Sequence, residues 1–179
     1  MPRYGMLIDT NKCVGCFACR VACQMQNSLT PENSFIRYEE KETGKYPNVK
    51  WKVYPIQCHH CETAPCAPVC PTKARQIRPD GVVVVNSKKC IGCKYCVAVC
   101  PYQANTVNSK TGEVDKCRFC IEIVEQGGTP ACVSTCLTHA RIFGDLDDPN
   151  SKIAKAIAAK KPKALAANLG TKPKIYYVE

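Results

Sequence analysis

The chain has 179 residues, of which 16 are cysteine, about 9 %, a content found in disulfide scaffolds and metal proteins rather than in ordinary apolar cores. With one Trp and four Phe, bonds to metal are expected to supply folding free energy that aromatic burial does not. No stretch reaches the roughly 18 to 20 apolar residues needed to cross a bilayer as a helix, and 25 Lys and Arg against 15 Asp and Glu leave a formal charge of +10, which on its own would point to nucleic acid or an anionic membrane.

Arg3 to Asp9 (RYGMLID) mixes apolar and β-favouring residues and predicts a short strand. The first cysteine run follows: Cys13, Cys16, Cys19 and Cys23, at spacings of two, two and three intervening residues. Val21, Ala22 and Met25 suggest a short helix leaving it. Residues 27 to 48 are polar and rich in breakers and read as an insertion, a surface loop or hairpin that is a candidate partner-binding region. Lys50 to Ile56 (KWKVYPI) reads as a strand, with Trp51 and Tyr54 placed to cover a metal site. The second run is Cys58, Cys61, Cys66 and Cys70 (spacings two, four, three), closed by Pro71. A turn at Asp80-Gly81 leads into the β-branched strand Val82 to Asn86.

The third run, CIGCKYCVAVCP from Cys90 through Cys93, Cys96 and Cys100 to Pro101, repeats the two, two, three spacing. Residues 102 to 115 form a polar connector. The fourth run is Cys117, Cys120, Cys132 and Cys136, with IEIVEQGGTPA between its second and third members, a helix expected to stop at Gly127-Gly128. Asp148-Pro149 predicts the start of a helix that carries Ile153 and Ile157 on its apolar face and ends at Lys160-Lys161-Pro162. The tail, LGTKPKIYYVE, is expected to be extended, with its tyrosines docking on a surface; the basic stretch from Lys160 to Lys174 reads as a solvated tail rather than a lipid contact.

Four runs of four use all 16 cysteines, and the repeat is the strongest signal in the sequence. Three Cys within seven residues cannot readily pair with one another as disulfides. Zinc sites use two pairs joined by a longer loop, whereas C-x-x-C-x-x-C-x-x-x-C-P supplies three thiolates to one iron–sulfur cube and a fourth to another. Run two with run three gives Cys58, Cys61, Cys66 and Cys100 on one cluster and Cys90, Cys93, Cys96 and Cys70 on the next. Run one with run four gives Cys13, Cys16, Cys19 and Cys136, and Cys117, Cys120, Cys132 and Cys23. Pairing run one with two and three with four is sequentially simpler, and spacing leaves it open. A cubane on four thiolates carries about −2. Four of them would bring the +10 polypeptide to about +2, and one electron on each to about −2, so the surplus lysines read as compensation for cluster charge and a nucleic-acid role loses its support.

The segments MPRYGMLIDTNKCVGCFACRVAC, QCHHCETAPCAPVCPT, CIGCKYCVAVCPY, CRFCIEIVEQGGTPACVSTC, ARIFGDLDDPNS and the LGTKPKIYY tail resemble the iron–sulfur electron-transfer subunit of the molybdopterin, dimethyl sulfoxide reductase-type oxidoreductases, and within it the polysulfide/thiosulfate reductase branch. The resemblance implies an α+β fold of duplicated bacterial two-cluster ferredoxin-like modules, small, loop-rich and held together by four 4Fe-4S clusters. It favours the nested pairing: residues 1–52 with 103–145 as an outer module, 53–102 inserted, and 146–179 as a C-terminal helix and docking tail. It implies a molybdenum or tungsten bis-pyranopterin catalytic subunit as partner, and often a quinone-reactive membrane subunit. One departure stands out: the family usually has Pro-Thr-Gly after run four, where this sequence has Leu137-Thr138-His139.

No catalytic machinery of the chain's own is visible, so electron relay is the expected function, by way of four clusters in a body whose radius of gyration is about 16 Å. A free-standing polyferredoxin, or a subunit of a related arsenate, tetrathionate or dimethyl sulfoxide reductase, is the alternative. Lys94, Lys116 and Arg118 adjoin ligand cysteines and are candidates for tuning cluster potentials, as is His60; His59 and His60 read as polar neighbours of a cluster, and His139 as structural or surface. The N-terminal stretch shows no secretory or twin-arginine pattern. The expected location is therefore the extracytoplasmic side of a membrane, reached by co-export with the catalytic subunit, with the cytoplasm as alternative.

Overall fold

A computed structural model describes residues 1–179. The N-terminal strand β1 (Tyr4–Asp9) is buried from Gly5 to Asp9, as its run of apolar side chains requires. Strand β10 (Ile175–Val178), near the end of the sequence, pairs parallel to it with Met6 opposite Ile175 and Ile8 opposite Tyr177. Strand β8 (Arg141–Asp145) flanks β1 antiparallel, and β9 (Lys163–Ala164) flanks β10, so the sheet order is β8-β1-β10-β9.

The tail is extended, as expected, but it is an inner strand of this sheet and not a surface appendage. Tyr177 is buried and its hydroxyl donates to the Pro55 carbonyl at 3.0 Å. The basic stretch before it is solvated at Lys161, Lys163 and Lys172, as expected, but its end is not: Lys174 is buried and donates to the Gly81 carbonyl, and the exposed Lys160 pairs with Asp9.

Helix α5 (Lys152–Lys160) covers the sheet through the fully buried Ile153, whose side chain fits over Gly144. Its cap is Ser151, with Oγ accepting from Ala154 N at 3.1 Å. The start expected at Asp148-Pro149 falls three residues early, because the Asp148 carboxylate instead closes a turn by accepting from Asn150 N at 2.8 Å. Lys161, left-handed, ends the helix.

The insertion resolves into a long hairpin, β2 (Arg37–Lys45) and β3 (Asn48–Ile56), exposed at its tip and buried from Val53 to Ile56 where it meets the sheet. Two shorter hairpins follow: β4 (Arg75–Ile77) with β5 (Val83–Val85), and β6 (Thr106–Val107) with β7 (Val114–Asp115), the last inside the segment expected to be only a connector. Four short helices, α1 (Ala18–Gln26), α2 (Tyr95–Ala98), α3 (Ile121–Val124) and α4 (Ala131–Ser134), carry or adjoin the cysteine runs. The architecture is small, loop-rich and α+β. Eight of the cysteines are buried, so the core is in part a core of thiols.

Truncating Ile175 to Ala removes a fully buried side chain from an inner strand and is expected to cost about 2 to 5 kcal/mol, read as a lower thermal midpoint for loss of folded structure. Tyr46→Ala at the hairpin tip, 92 % exposed, should leave the midpoint where it is.

Candidate metal centres

Each cysteine run begins with the same backbone device. The residue before the second cysteine is left-handed in all four: Gly15 (φ 64°), His60 (φ 44°), Gly92 (φ 67°) and Phe119 (φ 56°). The reversal curls the C-x-x-C loop so that both thiols face inward. At Gly92 a side chain would meet the Gly112 carbonyl at 2.8 Å, so glycine is needed there for space as well as for conformation. A helix or turn then carries the third and fourth cysteines four residues apart, hence on one face: Cys19 and Cys23 on α1, Cys96 and Cys100 on and after α2, Cys132 and Cys136 on and after α4.

These devices gather the thiols into quartets drawn from two runs each. One cavity is lined by Cys13, Cys16, Cys19 and Cys136, a second by Cys23, Cys117, Cys120 and Cys132, and a third by Cys70, Cys90, Cys93 and Cys96. In the fourth group Cys58, Cys66 and Cys100 all bear on the Cys61 thiol. Adjacent groups are close: Cys58 also bears on Cys117.

Burial dominates the electrostatics. It pushes the Cys23 thiol up to about 12, with the neighbouring Cys132 and Cys120 adding to the effect, and it pushes Cys61 and Cys132 up to about 11. Cys117 is raised well above the ordinary thiol range for the same reason. Such thiols stay protonated near neutral pH and give up their protons only to a strong cationic centre.

Donors are supplied as well. The Tyr38 hydroxyl lies 3.1 Å from Cys19 Sγ, Phe119 N donates to Cys117 Sγ at 3.4 Å, and Asn27 Nδ2 donates to Cys23 Sγ at 3.6 Å. Arg75 Nη1 and Arg141 Nη2 are buried donors with no partner in the protein, on side chains that line two of these cavities.

No three His, Cys, Asp or Glu side chains stand close enough to hold a single metal ion, whereas four thiolates on one zinc at about 2.3 Å would nearly touch. The donor sets therefore fit a polynuclear group in which each metal would take one thiolate, and the unpartnered guanidinium N–H groups lining the cavities would serve as donors to its sulfur.

Of the other predicted residues, His59 and His60 are buried. Burial, reinforced by Arg37, lowers His59 to about 3, and it stacks on Tyr102 at 3.9 Å. His60 accepts from Val83 N through Nδ1 at 3.1 Å, which leaves its proton on Nε2, and it stacks on Phe119 at 3.8 Å. Lys116 is fully buried, while Arg118 is half-exposed and its charge is met by Asp115 and, at 4.0 Å, Glu122. Lys94 is exposed and caps α2, and His139 is exposed.

Trp51 packs over Gly15 of the first loop, but Tyr54 lies against Tyr177 and Glu179 instead of a quartet. Two other aromatics do reach a cysteine, Tyr102 at Cys61 and Tyr38 at Cys19; sequence reasoning missed Tyr38 because the hairpin register, not the sequence spacing, brings it there. The Leu137-Thr138-His139 departure keeps the backbone: His139 is left-handed like its counterpart Lys73, and Thr138 Oγ1 stays 3.9 Å from Cys136 Sγ as Thr72 stays 3.7 Å from Cys70 Sγ.

The sequence matches the 4Fe-4S dicluster domain family over residues 49–146 and a second 4Fe-4S dicluster domain family over residues 12–74. It is 42 % identical to the B component of tetrathionate reductase from Salmonella typhimurium, across 98 % of this sequence and 72 % of that protein. It is also 42 % identical to the B component of polysulfide reductase from Wolinella succinogenes, across 98 % and 94 %. The B component of selenate reductase from Mesobacillus selenatarsenatis is 36 % identical, across 97 % and 70 %.

Cys100→Ala should damage the centre of Cys58, Cys61 and Cys66 and spare that of Cys90, Cys93 and Cys96, read by paramagnetic resonance of the reduced protein; loss of the local centre instead would refute the cross-run quartet. Tyr38→Phe removes a donor from Cys19 alone. It should lower a single midpoint potential in a redox titration and leave the iron content unchanged.

Proposed function

The chain therefore belongs to the family of 4Fe-4S dicluster iron–sulfur subunits of reductase complexes, and from that premise we propose that it is a non-catalytic electron-transfer subunit carrying four 4Fe-4S clusters, one on each cysteine quartet, in two nested ferredoxin-like modules. The observation that carries the reading is the order in which the quartets adjoin. Helix α1 joins the Cys13 quartet to the Cys23 quartet, Cys58 bears on Cys117 to join the Cys23 quartet to the Cys61 quartet, and α2 joins that to the Cys70 quartet. The two exposed cysteines, Cys16 and Cys93, belong to the first and last of the four. Exposed apolar side chains surround both: Val14, Phe17 and Leu137 near one, Ile91 and Tyr95 near the other. A series of centres buried in the middle and accessible at both ends is what a relay between two partners requires.

The protein's own residues hold the thiolates at fixed separation, exclude water from the two central quartets and aim N–H and O–H donors at sulfur; the clusters, when bound, supply one-electron redox chemistry at potentials set by that surrounding. One partner in this reading is a molybdenum or tungsten bis-pyranopterin catalytic subunit that reduces a sulfur compound of the polysulfide or thiosulfate type, since relatives of this protein are components of enzymes named for polysulfide and tetrathionate. The other is a quinone-reactive membrane subunit, on the extracytoplasmic side by export together with the catalytic subunit. No helix of this protein is long and apolar enough to cross a membrane.

The test is purification from the native source. Co-elution with a large molybdenum or tungsten polypeptide, with iron and acid-labile sulfide each near 16 per chain, is the expected result. Elution as a brown, iron-loaded single polypeptide would make it a free-standing polyferredoxin, and a colourless zinc protein would overturn the reading altogether.

A further inference from the structure

Arg75, Lys116 and Arg141 are 4 %, 1 % and 4 % exposed, and none takes part in an ion pair with a carboxylate. Their partners are neutral. Arg75 Nη2 donates to Asn105 Oδ1 at 2.6 Å, Lys116 Nζ donates to the carbonyls of Val83 and Cys117, and Arg141 Nη1 donates to Gln57 Oε1 at 2.8 Å. A buried cation without a counter-ion is strongly disfavoured. Arg75 and Arg141 each keep a further buried nitrogen without any partner. What these side chains do face is sulfur.

Each faces two quartets. Arg141 lines the cavity of Cys13, Cys16, Cys19 and Cys136, and its Nη1 lies 3.8 Å from Cys132 Sγ of the next quartet. Lys116 is bonded to the carbonyl of Cys117, in that same second quartet, and acts against the burial of the Cys66 thiol in the third. Arg75 lines the cavity of Cys70, Cys90, Cys93 and Cys96, and opposes burial at both Cys66 and Cys96. The three cations thus fall one at each of the three junctions between successive quartets, and no junction lacks one. Other cations near the quartets differ: Arg118 is matched by Asp115, Lys94 is exposed, and Lys174, buried on the Gly81 carbonyl, bears on Cys61 of one quartet alone.

We infer that Arg141, Lys116 and Arg75 are shared counter-charges, one per junction, each holding up the reduction potential of both centres it separates. The electron given up by one centre is the electron taken by its neighbour, with no bond made or broken. The guanidinium or ammonium keeps its protons and favours the extra negative charge on either side, so the electron crosses the junction without leaving the neighbourhood of the cation. A cation beside one centre only would bias the electron towards that centre; a shared cation does so less.

The inference rests on the quartets holding clusters, which iron near 16 per wild-type chain establishes separately. Its own test is a redox titration of the holo-complex followed by paramagnetic resonance. Arg75→Gln should lower two of the four midpoint potentials, each by at least the 59 mV that corresponds to a tenfold change in a one-electron equilibrium. Arg141→Gln should lower the other two, and Lys116→Gln one from each pair. Arg75→Lys and Arg141→Lys, which keep the charge, should leave all four near wild type with full iron.

This pairing pattern needs no prior assignment of signals. A variant that moves one potential alone, or all four alike, overturns the inference. If a Gln variant fails to load iron, the Lys variant decides: full loading with unchanged potentials supports the shared charge, and loss of iron there too makes the residue a matter of shape and overturns it.

Discussion

Two cysteines four residues apart on one helical turn are the constraint on which the rest of this structure depends. Such a pair presents both thiols on one face, about a turn apart along the axis, and here its members are divided: Cys19 lines one cavity and Cys23 the next. Every run ends in such a pair, and each quartet takes its fourth thiol from a second run. The fold brings two runs together to finish each quartet, and at the two outer junctions a single helical turn links one quartet to the next, whereas the middle junction is made by Cys58 bearing on Cys117.

This also explains where regular structure sits. The sheet formed by β1, β8 and β10 collects the beginning of the sequence, the segment just after the last cysteine and the C-terminal segment, binding the outer runs together from outside. Between these, the hairpins β4–β5 and β6–β7 have only two or three residues per strand. So little ladder could not hold the loops alone, and metal binding, which is folding free energy where the site is otherwise unformed, is the natural complement. The four-stranded sheet needs less such help because Met6, Ile8, Ile153, Ile175 and Tyr177 form an apolar core of the ordinary kind.

What is legible in the sequence follows from how local its cause is. The helix after run one, the Gly127 stop and the β1 strand all arise within a few residues, and each is present. The grouping of cysteines across runs is suggested by spacing and by resemblance, since cross-run placement depends on the i, i+4 geometry alone. Tertiary choices are not legible. Nothing in IYYV says it will pair parallel with a strand about 170 residues earlier, and nothing near Arg75 or Arg141 in the sequence says their side chains will point at thiols. A lysine beside a cysteine draws attention by adjacency, which is why Lys94 and Arg118 stand out although one is exposed and the other is neutralised by Asp115. An arginine five residues past a cysteine does not.

The four left-handed positions show how burial rewrites a local rule. In runs one and three the position is glycine, partly exposed, which accepts φ > 0 at no steric cost. In runs two and four the same turn is made by His60 and Phe119, where an L side chain costs about 1 to 2 kcal/mol. Both are fully buried and stack on each other at 3.8 Å. Burying a phenylalanine contributes about 1.5 to 3 kcal/mol, and an aromatic pair about 0.5 to 1.5 kcal/mol more. The two contributions together exceed the strain at Phe119 and offset part of that at His60. Glycine at both positions would relax the backbone and open a cavity between the two central quartets, at a cost nearer that of deleting a core phenylalanine, about 3 to 5 kcal/mol. The stack thus joins the inner ends of two cysteine runs through side chains that the turn, taken alone, would exclude. It keeps water from the space between the quartets where the dielectric matters most for the donors and cations that face them.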